Sequence, residues 1–340
     1  MPPRIRWGVL STAAIGLKKV IAAMQRGTHT SVVAIASRDL HKAREAVEVL
    51  GIATAYGSYE DLLSDPSIDA IYNPLPNHMH VTWTIKAAEA GKHVLCEKPL
   101  GLSAAEAATL IAVRDRTSVK IGEAFMVRCH PQWIRAQEWI REERIGELRS
   151  MLGFFSYFNI RAENIRNQLE FGGGALMDIG CYMVHAARFA FGTQPLRVVA
   201  SIDRDPVMQT DRLTSAILEF SKGQAVFTCS TQLVPYQRLH FLGTRGRIEM
   251  EIPVNAPPDR EARLLLDSGR DLFGGGIVTE TFPTCDQYTL QSDAFSKAVL
   301  EGGEVPVSIE DGVANMAVVD AIFQSGRSGQ WETVENVLVQ

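Results

Sequence analysis

The chain has 340 residues, 46% of them hydrophobic and 21% charged, with a formal net charge of -5. That balance fits a folded protein of about two domains; it speaks against a nucleic-acid surface, which needs a basic excess, and no apolar run approaches the roughly 20 residues that span a bilayer. Cys96, Cys129, Cys181, Cys229 and Cys285 stand singly, without the spacing of a zinc or disulfide framework, so reduced thiols in a cytoplasmic protein are expected.

Met1 to Arg6 runs straight into a strand, so no export signal is expected. Strands are predicted at residues 4–10 and 31–36, each followed by a helix, 15–26 and 39–50, that stops at Gly27 or Gly51. After a short connection through residues 58–63 come strand 70–72, helix 77–90, strand 93–96, helix 103–116 and strand 119–124. This alternation predicts a doubly wound parallel sheet over residues 1–125. Beyond it a helix is predicted at 131–143 and a long strand at 147–158. The strand-like runs 197–202, 214–220, 224–231, 238–242 and 247–252 then follow one another with glycine turns between them. Strands without intervening helices predict an α+β domain over 126–340, with a large, mainly antiparallel open sheet. Helices at about 287–300 and 309–325 close the chain. Such a sheet needs its free face covered, so a homodimer or tetramer through it is expected.

Chemistry-bearing residues gather at the carboxyl ends of the first strands, where ligands bind in open α/β sheets. The first strand–helix turn reads Ser11-x-Ala13-x-x-Gly16, a dinucleotide fingerprint with two glycines replaced by small residues. Ser11, Thr12, Ala13 and Ile15 are therefore candidate pyrophosphate contacts at a helix N-terminus. The second strand ends Ala36-Ser37-Arg38 rather than on an acidic residue, and a hydroxyl with a guanidinium suits a 2′-phosphate. NADP is thus expected over NAD. In the rival reading Arg38 is a surface charge and Asp39 a helix cap; Asp39 also offers an acceptor to a ribose hydroxyl. Pro74, Leu75, Asn77 and His80 follow the third long strand in an extended loop and helix start, and are further cofactor candidates. His78 and His80 lack the spacing of a metal site, and no metal is expected. Glu97-Lys98-Pro99 ends the strand after Gly91, and the proline holds Lys98 extended at the sheet's carboxyl edge.

The second segment of interest is Phe171-Gly172-Gly173-Gly174-Ala175-Leu176-Met177-Asp178-Ile179-Gly180-Cys181-Tyr182. Three glycines allow close packing before a helix starting near Ala175, on which Asp178 and Tyr182, four apart, share a face. Tyrosine, with a pKa of about 10, becomes a useful base beside an ammonium such as Lys98. The plainer reading makes Asp178 a cap and Tyr182 a core residue. Phe125, Arg128, Phe154, Phe158, Asn159 and Arg166 are candidates for a substrate wall, although the Phe154–Phe158 alternation also suits a sheet with two apolar faces.

Glu97-Lys98-Pro99, Gly173-Gly174-x-x-x-Asp178-x-Gly180-x-Tyr182 and Pro76-Asn77-His78-x-His80 together resemble the glucose–fructose oxidoreductase / inositol dehydrogenase (Gfo/Idh/MocA) family over essentially the whole chain. Many members carry histidine where this chain has Tyr182. The tyrosine version resembles the branch with dimeric dihydrodiol dehydrogenase and NADP-dependent D-xylose dehydrogenase. The resemblance implies hydride transfer between nicotinamide C4 and a sugar or polyol carbon, with Lys98, Asp178 and Tyr182 catalytic. Other readings are a sugar or dicarbonyl reductase, such as one acting on 1,5-anhydrofructose, an NAD-dependent glycosidase of the same fold, and a non-catalytic NADP-binding regulator.

Overall fold

The computed structural model describes residues 2–335 and residue 337. Its strands, in chain order, are β1 (Ile5–Leu10), β2 (Thr30–Ala36), β3 (Thr54–Tyr56), β4 (Ala70–Asn73), β5 (His93–Glu97), β6 (Ile121–Ala124), β7 (Leu148–Phe158) and β8 (Arg197–Arg204). They continue with β9 (Asp211–Phe220), β10 (Gly223–Ser230), β11 (Gln232–Gly243), β12 (Arg247–Met250), β13 (Ala262–Asp267), β14 (Ile277–Phe282) and β15 (Glu332–Thr333). The helices used below are α1 (Ile21–Gln25), α2 (Leu40–Leu50), α3 (Tyr59–Ser64), α4 (His80–Glu89), α5 (Ala104–Thr117), α6 (Pro131–Arg141), α7 (Cys181–Phe191) and α8 (Gln287–Glu301). The chain forms two compact units, one of residues up to Cys129 with Asp286–Val313, the other of His130–Cys285 with the chain from Ala314.

Among the described residues the first unit holds a six-stranded sheet in the order β3-β2-β1-β4-β5-β6, all of it parallel. Parallel strands covered on both faces read as continuous apolar runs, and β4 and β6 are buried at every position. The helices start where the sequence supplies caps. Asp39 accepts from the His41 amide, Ser58 from Asp61 and Ser103 from Glu106, each satisfying an orphan first-turn donor.

Helix α8, read from the sequence as part of the second domain, packs in the first unit. Phe295 is fully buried with its ring centroid 5.4 Å from that of Trp7, and the Trp7 indole donates to Ser296 Oγ at 3.1 Å. Asp293 accepts the amides of Thr28 and His29, both at 2.8 Å. The first unit therefore runs past the expected 125/126 boundary to Cys129 and takes back residues 286–313. The partners involved lie far apart in the chain, and local patterning carries no record of such pairing.

The second unit holds a nine-stranded sheet in the order β14-β13-β12-β11-β7-β10-β9-β8-β15. Only β7 with β10 is parallel; the other pairs are antiparallel. Strands β13 and β14 were not foreseen, because the glycine-rich stretch between them and the prolines before them read as loop. Helix α7 covers one face closely: a Cβ on Gly180, just before it, would lie 2.8 Å from Cys229 Sγ on β10. Leu152, Phe154 and Tyr236 lie on the other face, among the ion pairs Arg238–Glu249, Arg247–Asp267 and Arg263–Glu251. Among the described residues no helix is long and apolar enough to cross a membrane.

Candidate active site

In the first unit the cofactor candidates leave from the carboxyl ends of β1, β2, β4 and β5, which are neighbours in the sheet. The chain order reverses between β1 and β4, the switch point at which open α/β sheets bind ligands. After β1, Ser11 adopts a left-handed φ of 77° and its hydroxyl accepts the Ala13 amide at 3.2 Å. Ser11, Thr12, Ala13 and Ile15 keep part of their surface exposed where the helix begins. After β2, Ser37 Oγ accepts the Asp39 amide at 3.2 Å while Asp39 turns to the His41 amide at 3.0 Å. Asp39 is thus the cap of α2, as the rival reading had it. Arg38 is exposed, with its guanidinium beside the buried Tyr59 hydroxyl, where it opposes the upward push of burial on that phenol's pKa.

After β4, a Cβ on Gly16 would lie 3.9 Å from Pro74 Cγ, so this loop lies beside the first helix. Leu75 is buried and donates its amide to Asn73 Oδ1 at 3.3 Å, and Asn77 opens a short 3-10 turn. His80 is buried with Nδ1 2.7 Å from the Pro99 carbonyl and Nε2 2.7 Å from the Leu75 carbonyl. Burial pushes its pKa down to about 4, against the pull of those two carbonyls. Both ring nitrogens lie at hydrogen-bond distance from backbone oxygens, to one of which the neutral ring donates, so His80 sits between the β4 loop and the Lys98–Pro99 turn rather than reaching a ligand. At the end of β5, Glu97 accepts the Tyr72 hydroxyl at 2.6 Å, and Lys98 remains partly exposed. Small residues at the helix start, with Ser37 and Arg38 at the end of β2, form a donor set that fits a dinucleotide.

In the second unit the chain becomes helical at Ala175, runs through a π-helical turn at Leu176–Gly180 and continues as α7. Asp178 is held from two sides: Arg166 Nε donates to Oδ1 at 3.0 Å and the Tyr157 hydroxyl to Oδ2 at 2.6 Å. Burial and then the Asp178 carboxylate push the Tyr157 pKa up, so this phenol stays a donor. Tyr182 is buried, its ring centroid 6.2 Å from that of Phe155. His185 is also buried, with ring neighbours Trp133 and Phe189.

The wall candidates divide. Arg166 joins Asp178. Phe154 and Phe158 do not: strand side chains alternate, Phe155 and Tyr157 face the helix with Asp178 and Tyr182, and Phe154 meets Tyr236 on the opposite face. Asn159 is occupied in a turn, its Oδ1 accepting the Arg161 amide at 3.1 Å. Phe125 is fully buried, and Arg128 pairs with Asp311 at 3.7 Å in the first unit. The sequence reading passed over Tyr157 as one term of an aromatic alternation. Its period of two did mark it as facing with Phe155, and only the partner Asp178 was invisible.

Sheet order, switch-point loops and donor set define a dinucleotide-binding Rossmann domain. The profile described as oxidoreductase family, NAD-binding Rossmann fold matches residues 5–125, and the GFO/IDH/MocA C-terminal domain matches residues 133–249. The chain belongs to the GFO/IDH/MocA oxidoreductase family. It is 46% identical to an oxidoreductase of Rhizobium meliloti over 97% of this chain and 99% of that one. It is 41% identical to the D-xylose 1-dehydrogenase (NADP(+)) 2 of Haloferax volcanii, over 95% and 98% of the two chains. Among solved structures, KijD10, a 3-ketoreductase from Actinomadura kijaniata in complex with NADP and TDP-benzene, superposes with a TM-score of 0.88. The sequence identity there is 30%, over 95% of this chain and 98% of that one.

A hydrogen bond to a charged group contributes about 1.5–3 kcal/mol. Tyr157→Phe is therefore expected to lower turnover about 10- to 100-fold through loosened Asp178 while leaving cofactor affinity unchanged; steady-state kinetics beside a fluorescence titration with NADPH checks this.

Proposed function

We propose that this chain is an NADP-dependent dehydrogenase of sugars or polyols, working by hydride transfer at a carbon that bears a hydroxyl. The observation that carries the reading is the clamping of Asp178, on the helix that also carries Tyr182, by Arg166 and Tyr157, in a chain whose first domain matches an NAD-binding Rossmann fold. A bound nicotinamide supplies or takes up the hydride. Tyr182 removes the substrate hydroxyl proton, and Lys98 carries the positive charge that stabilises a developing alkoxide. Asp178, fixed by Arg166 and Tyr157, accepts a neighbouring hydroxyl and sets the orientation of the sugar. Ser37 and Arg38 support NADP over NAD, since a guanidinium grips a phosphate bidentately. The named activity of the Haloferax relative supports the oxidative direction and NADP. The ketoreductase name of KijD10 favours the reverse direction as a second reading, with the same proton-transfer residues.

Self-association is proposed through the free face of the nine-stranded sheet. At strand spacings of about 4.8 Å and a rise of about 3.3 Å per residue, such a face offers about 1,000 Å², more than the roughly 800 Å² a stable interface takes from each partner. Sedimentation of the whole chain is expected to give a multiple of the monomer mass, and a monomer at micromolar concentration would remove the proposal.

The function is tested by following reduced nicotinamide with NADP, then NAD, over a panel of aldoses, polyols and the corresponding ketones. Signal with NADP and a pentose or hexose is expected. Signal with NAD alone would overturn the role given to Arg38, and silence in both directions would overturn the function. With an active substrate, Lys98→Met should lower turnover by about 10² to 10⁴ with NADP affinity nearly intact; normal turnover would remove Lys98 from the mechanism.

A further inference from the structure

The helix that carries Asp178 and Tyr182 begins at a glycine-rich turn, and glycine chains do not fix a direction by themselves. The first amides of a helix also lack intrahelical acceptors. Here one of them is met from another strand. Asp211, the first residue of β9, accepts the Leu176 amide at 2.7 Å and the Thr214 hydroxyl at 3.0 Å, both on Oδ2. The carboxylate is 1% exposed. Gly174 has φ +121°, and a Cβ built on it would lie 1.9 Å from Asp211 Oδ1, so only glycine admits the carboxylate there. A buried negative charge at a helix N-terminus is favoured by the helix dipole, and from Leu176 to Asp178 is two residues.

We propose that Asp211 is a positioning residue of the reaction: through the Leu176 amide it fixes the start of the helix, and so the aim of Asp178 and Tyr182, without touching substrate. The proposal rests on the oxidoreductase mechanism given above. Four titratable groups face it or its surroundings: Arg204, its register partner on β8, Cys229 on β10, and Cys181 and Asp178 on the helix. Burial pushes the Asp211 pKa up to about 6, against the Leu176 amide, Thr214 and Arg204. The anchor therefore loses its charge as pH falls through about 6. The linked stability runs the other way. Between the ordinary carboxylate range and about 6 the folded state holds a proton that the unfolded chain has released, so this group's contribution falls as pH rises across that window. An activity loss at pH below 6 caused by Asp211 is thus separable from unfolding.

The test is Asp211→Asn, which keeps the shape and an acceptor oxygen but removes the charge. Expected are unchanged NADPH affinity, faster amide hydrogen exchange in the peptide covering residues 174–183, and kcat lowered at least about 10-fold with KM nearly constant. The acidic limb of kcat in the parent protein should also be missing from the variant. Wild-type kcat with the acidic limb intact, or wild-type exchange at the helix start, would overturn the proposal. Should that variant fail to fold, Thr214→Val removes one hydrogen bond to the charge and should move the acidic limb up by about one to two pH units; an unmoved limb would overturn it. If the parent protein oxidises or reduces no sugar or polyol, the functional reading fails, while the exchange measurement still decides whether Asp211 holds the helix.

Discussion

A parallel sheet leaves its loops no choice of side. Every strand of the first unit runs the same way, so the turns after β1, β2, β4 and β5 emerge along one edge. The strand order reverses between β1 and β4, the kind of point at which open α/β sheets bind ligands. Ser11, Ser37, Arg38, Pro74 and Lys98 are brought to that edge by this single constraint. His80 lies buried there between two carbonyls on two different loops and donates its one N–H to one of them. The cofactor edge follows from the direction of the backbone before any side chain is considered.

The second unit solves a different problem, that of aiming short side chains from a helix. A π-helical turn at Leu176–Gly180 places Asp178 at the start of the helix, where amides would otherwise lack acceptors. Asp178 is then bracketed by Tyr157 from β7 and Arg166 from a short 3-10 turn, and the helix start is tied to β9 through Asp211. Side chains supported by neighbouring strands hold their geometry better than side chains on loops alone, since strand positions are fixed by the ladder.

Most of the architecture was legible in the sequence because it rests on local signals. Alternating strand and helix patterns marked the first sheet, Asp39 and Ser103 marked helix starts, and successive strands marked the second sheet, whereas α3, capped by Ser58, lies in a stretch read as a connection. What was not legible depends on distant partners. Helix α8 joins the first unit through Trp7 and Asp293 contacts that span most of the chain. The glycine-rich turn hid the pairing of β13 with β14. In the second unit the sequence singled out Asp178, Tyr182 and Arg166 by residue type and motif, and the structure pairs Arg166 with Asp178. Phe154 was misplaced because an aromatic alternation does not say which face is covered. Tyr157 and Asp211 were passed over because their meaning lies in the carboxylate and the amide they meet.

The central claim is that Tyr182 carries the proton in a nicotinamide-dependent reaction on a sugar or polyol hydroxyl. Tyr182→Phe, assayed with NADP and an active substrate of the parent protein, tests it most directly. The account predicts unchanged NADPH binding and turnover lowered by about 10² to 10⁴. Turnover within a few-fold of the parent protein would contradict it.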